Sequence, residues 1–211
     1  MKFNELLSLI ADEPVFSSSL LLSGKADKQQ VRLQLSRWVK SDRLIQFRRG
    51  LYALAQPWRK IDPHPFLIAN RLHPGSYVSL QSALAWHGAI PEGVVVVTSV
   101  GSGRPETVNT PLGTFQFQHL AEPLRFGFSR IEVAPRQFAF VATPEKALLD
   151  LVHLTTGGDS ETFLRELRLQ NHTVFHRVAL EKTARRSGKP KILRASAIIA
   201  SLLDEGEGEP L

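Results

Sequence analysis

Two groups of polar side chains between residues 27 and 54 have the chemistry that binds a nucleic acid. The first group can hydrogen-bond to the edges of DNA bases and comprises Gln29, Arg32, Ser36 and Arg37. The second group can bind phosphate oxygens and comprises Lys28, Lys40, Arg48 and Arg49. Because phosphate contacts set affinity and base contacts set sequence preference, the two groups together predict a site for double-stranded DNA.

A predicted helix over residues 28–40 positions most of these side chains. Asp27, with Gln30 three residues later, indicates a capping box at its start. One stripe of the helix is apolar and comprises Val31, Leu35, Trp38 and Val39. Two short apolar runs follow, 44–47 and 51–54, separated by a basic turn. A helix followed by a small basic hairpin is typical of the winged helix-turn-helix, whose helix enters the major groove.

The alternative is an ordinary amphipathic helix with a solvated basic face, followed by an unrelated hairpin. Charged faces are usually solvated surface, but the order of the elements favours DNA binding. Leu33 also falls on the polar side of the helix, where we expect an exposed leucine or a contact with another protein.

Positive charge is concentrated at the two ends of the 211-residue chain. Residues 1–60 carry 11 basic and 5 acidic residues, residues 61–176 carry 8 and 10, and residues 177–211 carry 7 and 5. This distribution is the one expected of a polyanion-binding module joined to a body that binds something else.

Composition excludes some chemistry and favours one compartment. The sequence contains no cysteine, so it offers no disulfide, thiol nucleophile or thiolate metal site. Its first residues lack the pattern of a signal peptide, and no apolar run approaches the roughly 18 residues needed to span a bilayer. We therefore expect a cytoplasmic protein without a membrane partner.

The amino-terminal domain is predicted to contain two further helices. Apolar residues at helical spacing predict a helix over 2–12. A second short helix, capped by a serine within 17–19, is expected to end at Ser23-Gly24. Together with the helix and hairpin above, these elements predict a winged helix-turn-helix domain over residues 1–58.

The second domain, over residues 59–204, is predicted to be mixed α/β and to end in helices, so the fold class is α+β. Its helices are expected at about 66–72, 80–87, from Pro144 onward, 160–169, 173–186 and 190–203. Its strands are expected at about 77–79, 94–98, 114–119, 126–133 and 137–141. The β-branched run 94–98 is expected to be buried. Residues 205–211 are expected to form a disordered acidic tail.

Residues that could form a metal site or a catalyst lack the necessary spacing. His87, His119 and His153 fall on three different elements, and each is expected to be structural. Gly101-Ser102-Gly103 is similar to the glycine-serine turn of nucleotidyltransferases, but the paired aspartates that hold magnesium are missing downstream. The triplet is therefore expected to be a hairpin loop. We expect no catalytic residue, no metal and no cofactor.

Two charged clusters in the second domain have both a functional and a structural interpretation. Glu145, Lys146 and Asp150 could line the surface through which this domain acts. Alternatively, the helix dipole favours Glu145, and the other two form an ion pair four residues apart. A second basic patch could contact phosphates or an acidic partner, or be a solvated turn, and it comprises Arg185, Arg186, Lys189 and Lys191.

Three blocks of sequence occur in the same order as in one known family. They are YVSLQSALAWHG at residues 77–88, followed by Pro91-Glu92 and Val97-Thr98-Ser99, then TPEKALLD at 143–150, together with the earlier RGLYAL at 49–54. In these blocks, and over about residues 3–170, the chain resembles the AbiEi antitoxins of bacterial type IV toxin–antitoxin and abortive-infection systems. One departure is the turn Ser41-Asp42, where winged domains usually carry glycine, although aspartate tolerates left-handed geometry.

The resemblance implies a winged helix-turn-helix repressor joined to an antitoxin domain. Its implied partners are operator repeats in its own promoter and a cognate nucleotidyltransferase-like toxin, which it counteracts without needing a stable complex. Two alternatives stay open. One is a ligand-responsive transcription factor whose second domain is the sensor, and the other is a nuclease or nucleotidyltransferase with a basic anchoring domain.

Overall fold

The computed structural model describes residues 1–10, 12–22, 27–91 and 93–206 and has a mixed α+β architecture. The α-helices are α1 (Phe3–Ile10), α2 (Lys28–Lys40), α3 (Pro65–Leu72), α4 (Leu80–Trp86), α5 (Pro144–Leu154), α6 (Glu161–Glu166), α7 (Arg177–Ser187) and α8 (Pro190–Gly206). The strands are β1 (Phe16–Ser17), β2 (Leu44–Arg48), β3 (Leu51–Leu54), β4 (Tyr77–Val78), β5 (Val96–Gly101), β6 (Glu106–Thr110), β7 (Gly113–His119), β8 (Phe128–Ala134) and β9 (Gln137–Ala142). Among these helices, none combines the length and apolarity that crossing a lipid bilayer requires.

Helix α2 is fixed at both ends by capping. At its start, the Asp27 side chain accepts a hydrogen bond of 2.8 Å from the backbone N–H of Gln29. At its end, the N–H of Ser41 donates to the carbonyl oxygen of Arg37, and Asp42 takes a left-handed φ of 52° that reverses the chain. These caps confirm the helix predicted over 28–40. In the turn after it, Asp42 takes the left-handed conformation that glycine adopts more commonly.

A three-stranded antiparallel sheet, in the order β1-β3-β2, packs against α1 and α2. The helix predicted over 2–12 is confirmed as α1. The second predicted helix is a short 3₁₀ turn at Ser18–Leu22 that follows β1, a strand the sequence analysis missed. Its expected end at Ser23-Gly24 lies outside the described residues.

Strand β3 is buried on both faces because it lies between two hydrophobic clusters. Tyr52 and Leu54 belong to the smaller cluster, which also contains Leu35 and Trp38 of α2. Leu51 and Ala53 alternate with them and belong to the larger cluster, which spans the rest of the protein. The predicted division into domains at residues 58 and 59 remains a prediction, and the hairpin contributes to both cores.

The second sheet has six strands in the order β6-β7-β5-β4-β9-β8. The pairs β5–β7 and β4–β9 are parallel, and the other neighbours are antiparallel. Helices α3, α4 and α5 pack against this sheet, and α7 and α8 pack against α5. The larger hydrophobic cluster fills the space between these layers.

One strand prediction for this sheet is only partly confirmed, and one loop prediction is wrong. The strand expected at 94–98 begins only at Val96, and Val95 is 90% exposed, because a β-branched run by itself does not determine which residues the helices cover. The residues after Gly101 do not form a hairpin loop, because β7 lies between β5 and β6. Strand β6 was not expected at all, and its exposed polar residues explain why it was missed.

The carboxyl-terminal helix is longer than predicted. Helix α8 continues to Gly206, so the first two residues of the expected tail, 205–206, are helical. The remaining residues of that tail, 207–211, lie outside the described part of the chain.

Candidate functional site

Helix α2 has one buried face and one polar face. Its buried residues are Val31, Leu35 and Trp38, which pack against the smaller cluster. All six predicted DNA-contacting residues of the helix are exposed: Lys28, Gln29, Arg32, Ser36, Arg37 and Lys40. Leu33 lies among them and is 54% exposed, as expected for that position.

The polar face of α2 carries uncompensated positive charge. The helix contains no acidic residue, and among the described residues no carboxylate pairs with Lys28, Arg32, Arg37 or Lys40. Asp27, the carboxylate that precedes the helix, is engaged in capping. A row of unpaired cations beside neutral polar side chains attracts an anion and leaves hydrogen-bond donors available to it.

The tip of the β2–β3 hairpin is held against the protein by two hydrogen bonds. The Ser18 N–H donates to the carbonyl oxygen of Gly50 over 2.9 Å, which packs the tip against the 3₁₀ turn. Gly50 has a φ of 87°, a conformation that favours glycine. Arg48 is exposed and donates from Nη2 to the carbonyl oxygen of Arg71 over 3.3 Å, whereas exposed Arg49 forms no ion pair with a described residue.

The three charged residues of α5 do not line an exposed surface, so the functional interpretation of this cluster is wrong. Glu145, Lys146 and Asp150 are only 3%, 3% and 2% exposed. Lys146 and Asp150 form the ion pair expected four residues apart on a helix. A carboxylate oxygen of Glu145 accepts a hydrogen bond of 2.8 Å from the N–H of His176. The other faces of α5 are apolar, so the helix is buried all round together with its charges.

A buried hydrogen-bond network surrounds Asp150. Its Oδ2 accepts from the Tyr77 hydroxyl over 3.0 Å and from the Ser79 hydroxyl over 2.8 Å, while Oδ1 accepts from Lys146 Nζ. Burial raises the pKa of Asp150 and lowers the pKa of Lys146, and each charge opposes the shift of the other. Burial also raises the pKa of Tyr77. The network ties α5 to β4 and to the start of α4.

The predicted second basic patch is not one free surface. Lys191 donates from Nζ to the carbonyl oxygens of His153 and Thr155 at the end of α5, so it caps that helix. Arg185 forms an ion pair of 3.2 Å with Glu181. Arg186 is exposed and lies over the ring of Phe126, with 4.1 Å from Cζ to the ring centroid. Of the four predicted residues, only exposed Lys189 has no described partner for its side chain.

A cleft that the sequence analysis missed lies between α3 and the β8–β9 hairpin. Its volume is about 410 Å³, and the segment 13–15 between α1 and β1 forms one wall. Three arginines line it, Arg71, Arg130 and Arg136. Arg130 and Arg136 belong to one hairpin, whereas Arg71 is distant from them in sequence and is brought to the hairpin by the packing of α3 on β9.

The three histidines considered as ligands do not form a cluster, and two of them contact backbone carbonyls. The ring nitrogen Nε2 of His87 lies 2.8 Å from the carbonyl oxygen of Ala142, and Nδ1 of His119 lies 3.2 Å from that of Gly103. Burial lowers the pKa of His153, and nearby lysines add to the shift. Among the described residues, no three His, Cys, Asp or Glu side chains are close enough to hold a metal ion.

No protein-family model matches the chain, and no curated protein is significantly similar to it. A function can therefore be proposed only from the chain's own residues and from the family resemblance of its three sequence blocks.

Proposed function

We propose that the chain is a DNA-binding transcriptional autorepressor whose residues 1–58 form a winged helix-turn-helix domain. The observation that carries the proposal is the exposed face of α2, which has no carboxylate and four cations that form no ion pair within the described part of the chain. In this role α2 is the recognition helix. Gln29, Arg32, Ser36 and Arg37 approach base edges in the major groove, and Lys28 and Lys40 contact the phosphates on either side.

The β2–β3 hairpin acts as the wing of this domain. Arg49 contacts the phosphate backbone or the neighbouring minor groove, supported by its exposure and by the fixed position of Gly50 against the 3₁₀ turn. Arg48 contributes less, because one of its guanidinium donors already bonds to Arg71. Phosphate contacts of this kind give affinity for any duplex, whereas the face of α2 gives the preference for an operator.

The second part of the proposal is that the chain is an antitoxin, not an enzyme, which counteracts a nucleotidyltransferase-like toxin without a stable complex. Its support is the resemblance to AbiEi antitoxins. Residues from two of the matching blocks form the buried network of Tyr77, Ser79, Lys146 and Asp150. The likeness in these blocks therefore reflects the packing of a shared second domain, whose exposed residues would act on the toxin.

A mobility-shift experiment tests the DNA-binding proposal. The wild-type chain should retard a duplex from upstream of its own gene more strongly than a scrambled duplex. Arg32→Ala with Arg37→Ala should abolish this preference, while Lys182→Ala, an exposed lysine on α7, should leave it intact. Equal retardation of both duplexes by the wild type would contradict repression through an operator. Rescue of cells that express the toxin by the full chain carrying Arg32→Ala with Arg37→Ala, which lacks the operator preference, tests the antitoxin part separately.

A second candidate function is a ligand-responsive transcription factor with the same DNA-binding domain. The cleft of about 410 Å³ favours it, because this volume is typical of small-molecule sites and the cleft is lined by residues of the larger hydrophobic core. A small molecule that binds the purified chain and changes its affinity for the operator would support this function.

A further inference from the structure

The cleft beside α3 has an unusual excess of positive charge. Arg71, Arg130 and Arg136 line it, and Glu13 is its only acidic lining residue among those described. Within the described residues, none of the three arginine side chains forms an ion pair or a hydrogen bond. Three free guanidinium groups around one cavity favour a multiply charged anion. The planar donors of a guanidinium group match the oxygens of a phosphate better than the point charge of a lysine does.

Arg130 is held in a defined orientation. Its guanidinium carbon lies 3.8 Å from the centroid of the Phe138 ring, so one face of the group is covered by the aromatic ring. The N–H donors at the edge of the guanidinium plane stay free. An arginine fixed by stacking loses less conformational freedom when it binds an anion than a freely rotating one.

Arg136 occupies a backbone position that favours glycine. It lies in the turn between β8 and β9 with a φ of 61°, where a side chain strains the backbone. The hydrogen bond that supports the turn comes from its backbone N–H to Glu132, and glycine could make it equally well. The folding of the turn therefore does not explain the arginine, whereas its place at the cleft does.

The cleft also has aromatic and amide groups that suit a nucleobase. Phe140 is 44% exposed and packs edge-on against Phe128, so its ring offers a stacking surface. Asn70 accepts a hydrogen bond from the N–H of Phe140, and its amide nitrogen Nδ2 is enclosed without a partner among the described residues. A small movement of this amide would let it donate to an acceptor on a base.

We propose that this cleft binds a nucleoside 5′-phosphate, with the phosphate on the arginines and the base against Phe140. The ligand would contact residues 13–15 as well as α3 and the β8–β9 hairpin. It would thus connect the segment between α1 and β1 to the larger core. Any effect of the ligand on DNA affinity rests on the proposed function. Binding itself does not depend on that function.

Titration calorimetry on the full chain tests the proposal with AMP and GMP as probes, each at low salt. We expect both nucleotides to bind at least tenfold more tightly than adenosine, ribose 5-phosphate or inorganic phosphate. Arg130→Ala should weaken the binding of AMP at least tenfold. Arg136→Gly should do the same while keeping or raising the thermal midpoint, because it relieves the left-handed strain.

Arg168→Gly is the matched control. Arg168 is also an exposed arginine with a left-handed φ, here 49°, but it does not line the cleft. Its replacement should leave AMP affinity unchanged. Absence of nucleotide binding at millimolar concentration, equal losses in the two glycine variants, or phosphate binding as tight as AMP would each overturn the proposal.

A single-stranded oligonucleotide separates the cleft from a nucleic-acid surface. If it binds in an Arg136-dependent way while AMP does not bind, the nucleoside phosphate is the wrong ligand. Failure of this proposal can be told apart from failure of the proposed function. If AMP binds and the operator does not, the repressor function is contradicted and the nucleotide site stands. If the operator binds and AMP does not, only the nucleotide site is contradicted.

Discussion

Arg48, at the tip of the β2–β3 hairpin, donates a hydrogen bond to the carbonyl oxygen of Arg71 in the last turn of α3. The bond joins the proposed wing to α3, which forms one side of the cleft that Arg71, Arg130 and Arg136 line. Leu51 and Ala53 of β3 also belong to the larger hydrophobic cluster, so the hairpin is attached to the rest of the protein by packing as well as by this hydrogen bond. A shift of α3 on ligand binding would therefore reach the wing directly.

The two arginines of the hairpin should contribute unequally to DNA binding. Loss of one phosphate contact reduces the slope of log K against log salt by about 0.9. We expect Arg49→Ala to produce that full reduction and Arg48→Ala a smaller one, since its guanidinium is partly engaged with Arg71. Fluorescence anisotropy with a labelled duplex over a salt series measures both slopes. An unchanged slope for Arg49→Ala would contradict the wing assignment.

Removing the cation from the buried network should strongly destabilise the protein. Lys146→Met leaves the Asp150 carboxylate buried without its counter-charge, which costs about 3–5 kcal/mol of unfolding free energy. Adding Asp150→Asn should recover most of this loss, because the amide oxygen still accepts from Tyr77 or Ser79. Urea denaturation of the two variants measures the difference. Equal stability of Lys146→Met and wild type would show that the pair is not desolvated.

Lys191 should affect stability and leave DNA affinity unchanged. Lys191→Met keeps the aliphatic chain but removes the ammonium group from the last carbonyls of α5, at a cost of about 1 kcal/mol. Lys189→Met is the matched control on an exposed neighbour and should change stability little. Thermal melts of both variants measure their stability, and duplex binding measures their DNA affinity. A loss of DNA affinity in Lys191→Met at unchanged stability would restore the basic-patch interpretation.

Acidification should destabilise the protein partly through His64. Burial lowers the pKa of His64, and its Nδ1 caps α3 by accepting from the N–H of Phe66 over 3.2 Å. A pKa that is lower in the folded state contributes stability above the unfolded value of about 6.5, and that stability is lost as pH falls through the folded pKa. His64→Asn keeps a capping acceptor without a titrating group, so its unfolding free energy should fall less between pH 7.5 and 5. If the unfolding free energy of the wild type and that of His64→Asn fell equally over this pH range, the role of His64 would be contradicted.

The sequence predicted the elements whose ends have local causes. Helix α2 was predicted with its observed bounds, because Asp27 caps it and its apolar stripe has a clear period. Helix α5 was predicted from Thr143 and Pro144, and the Thr143 side chain does accept from the N–H of Lys146. The burial of the charges on α5 could also have been foreseen, because apolar residues surround them on every side of the helix.

Features that depend on tertiary packing could not be predicted. Strand order placed β7 between β5 and β6, which no pattern in the loop after Gly101 indicates. The cleft combines Arg71 with Arg130 and Arg136 through contacts between α3 and β9, and each arginine alone resembles ordinary surface. The engagement of Lys191 with α5 depends likewise on how α8 packs.

The most direct test of the DNA-binding claim uses the absence of cysteine from the chain. A single Ser36→Cys variant, labelled with an iron–EDTA cleavage reagent, should cut the operator duplex at positions that line one major groove. Lys182→Cys on exposed α7 is the control and should not cut there. Focused cleavage from Ser36→Cys alone is the predicted result. Cleavage from α7 with none from α2, while the labelled protein still binds, would show that another surface contacts the DNA.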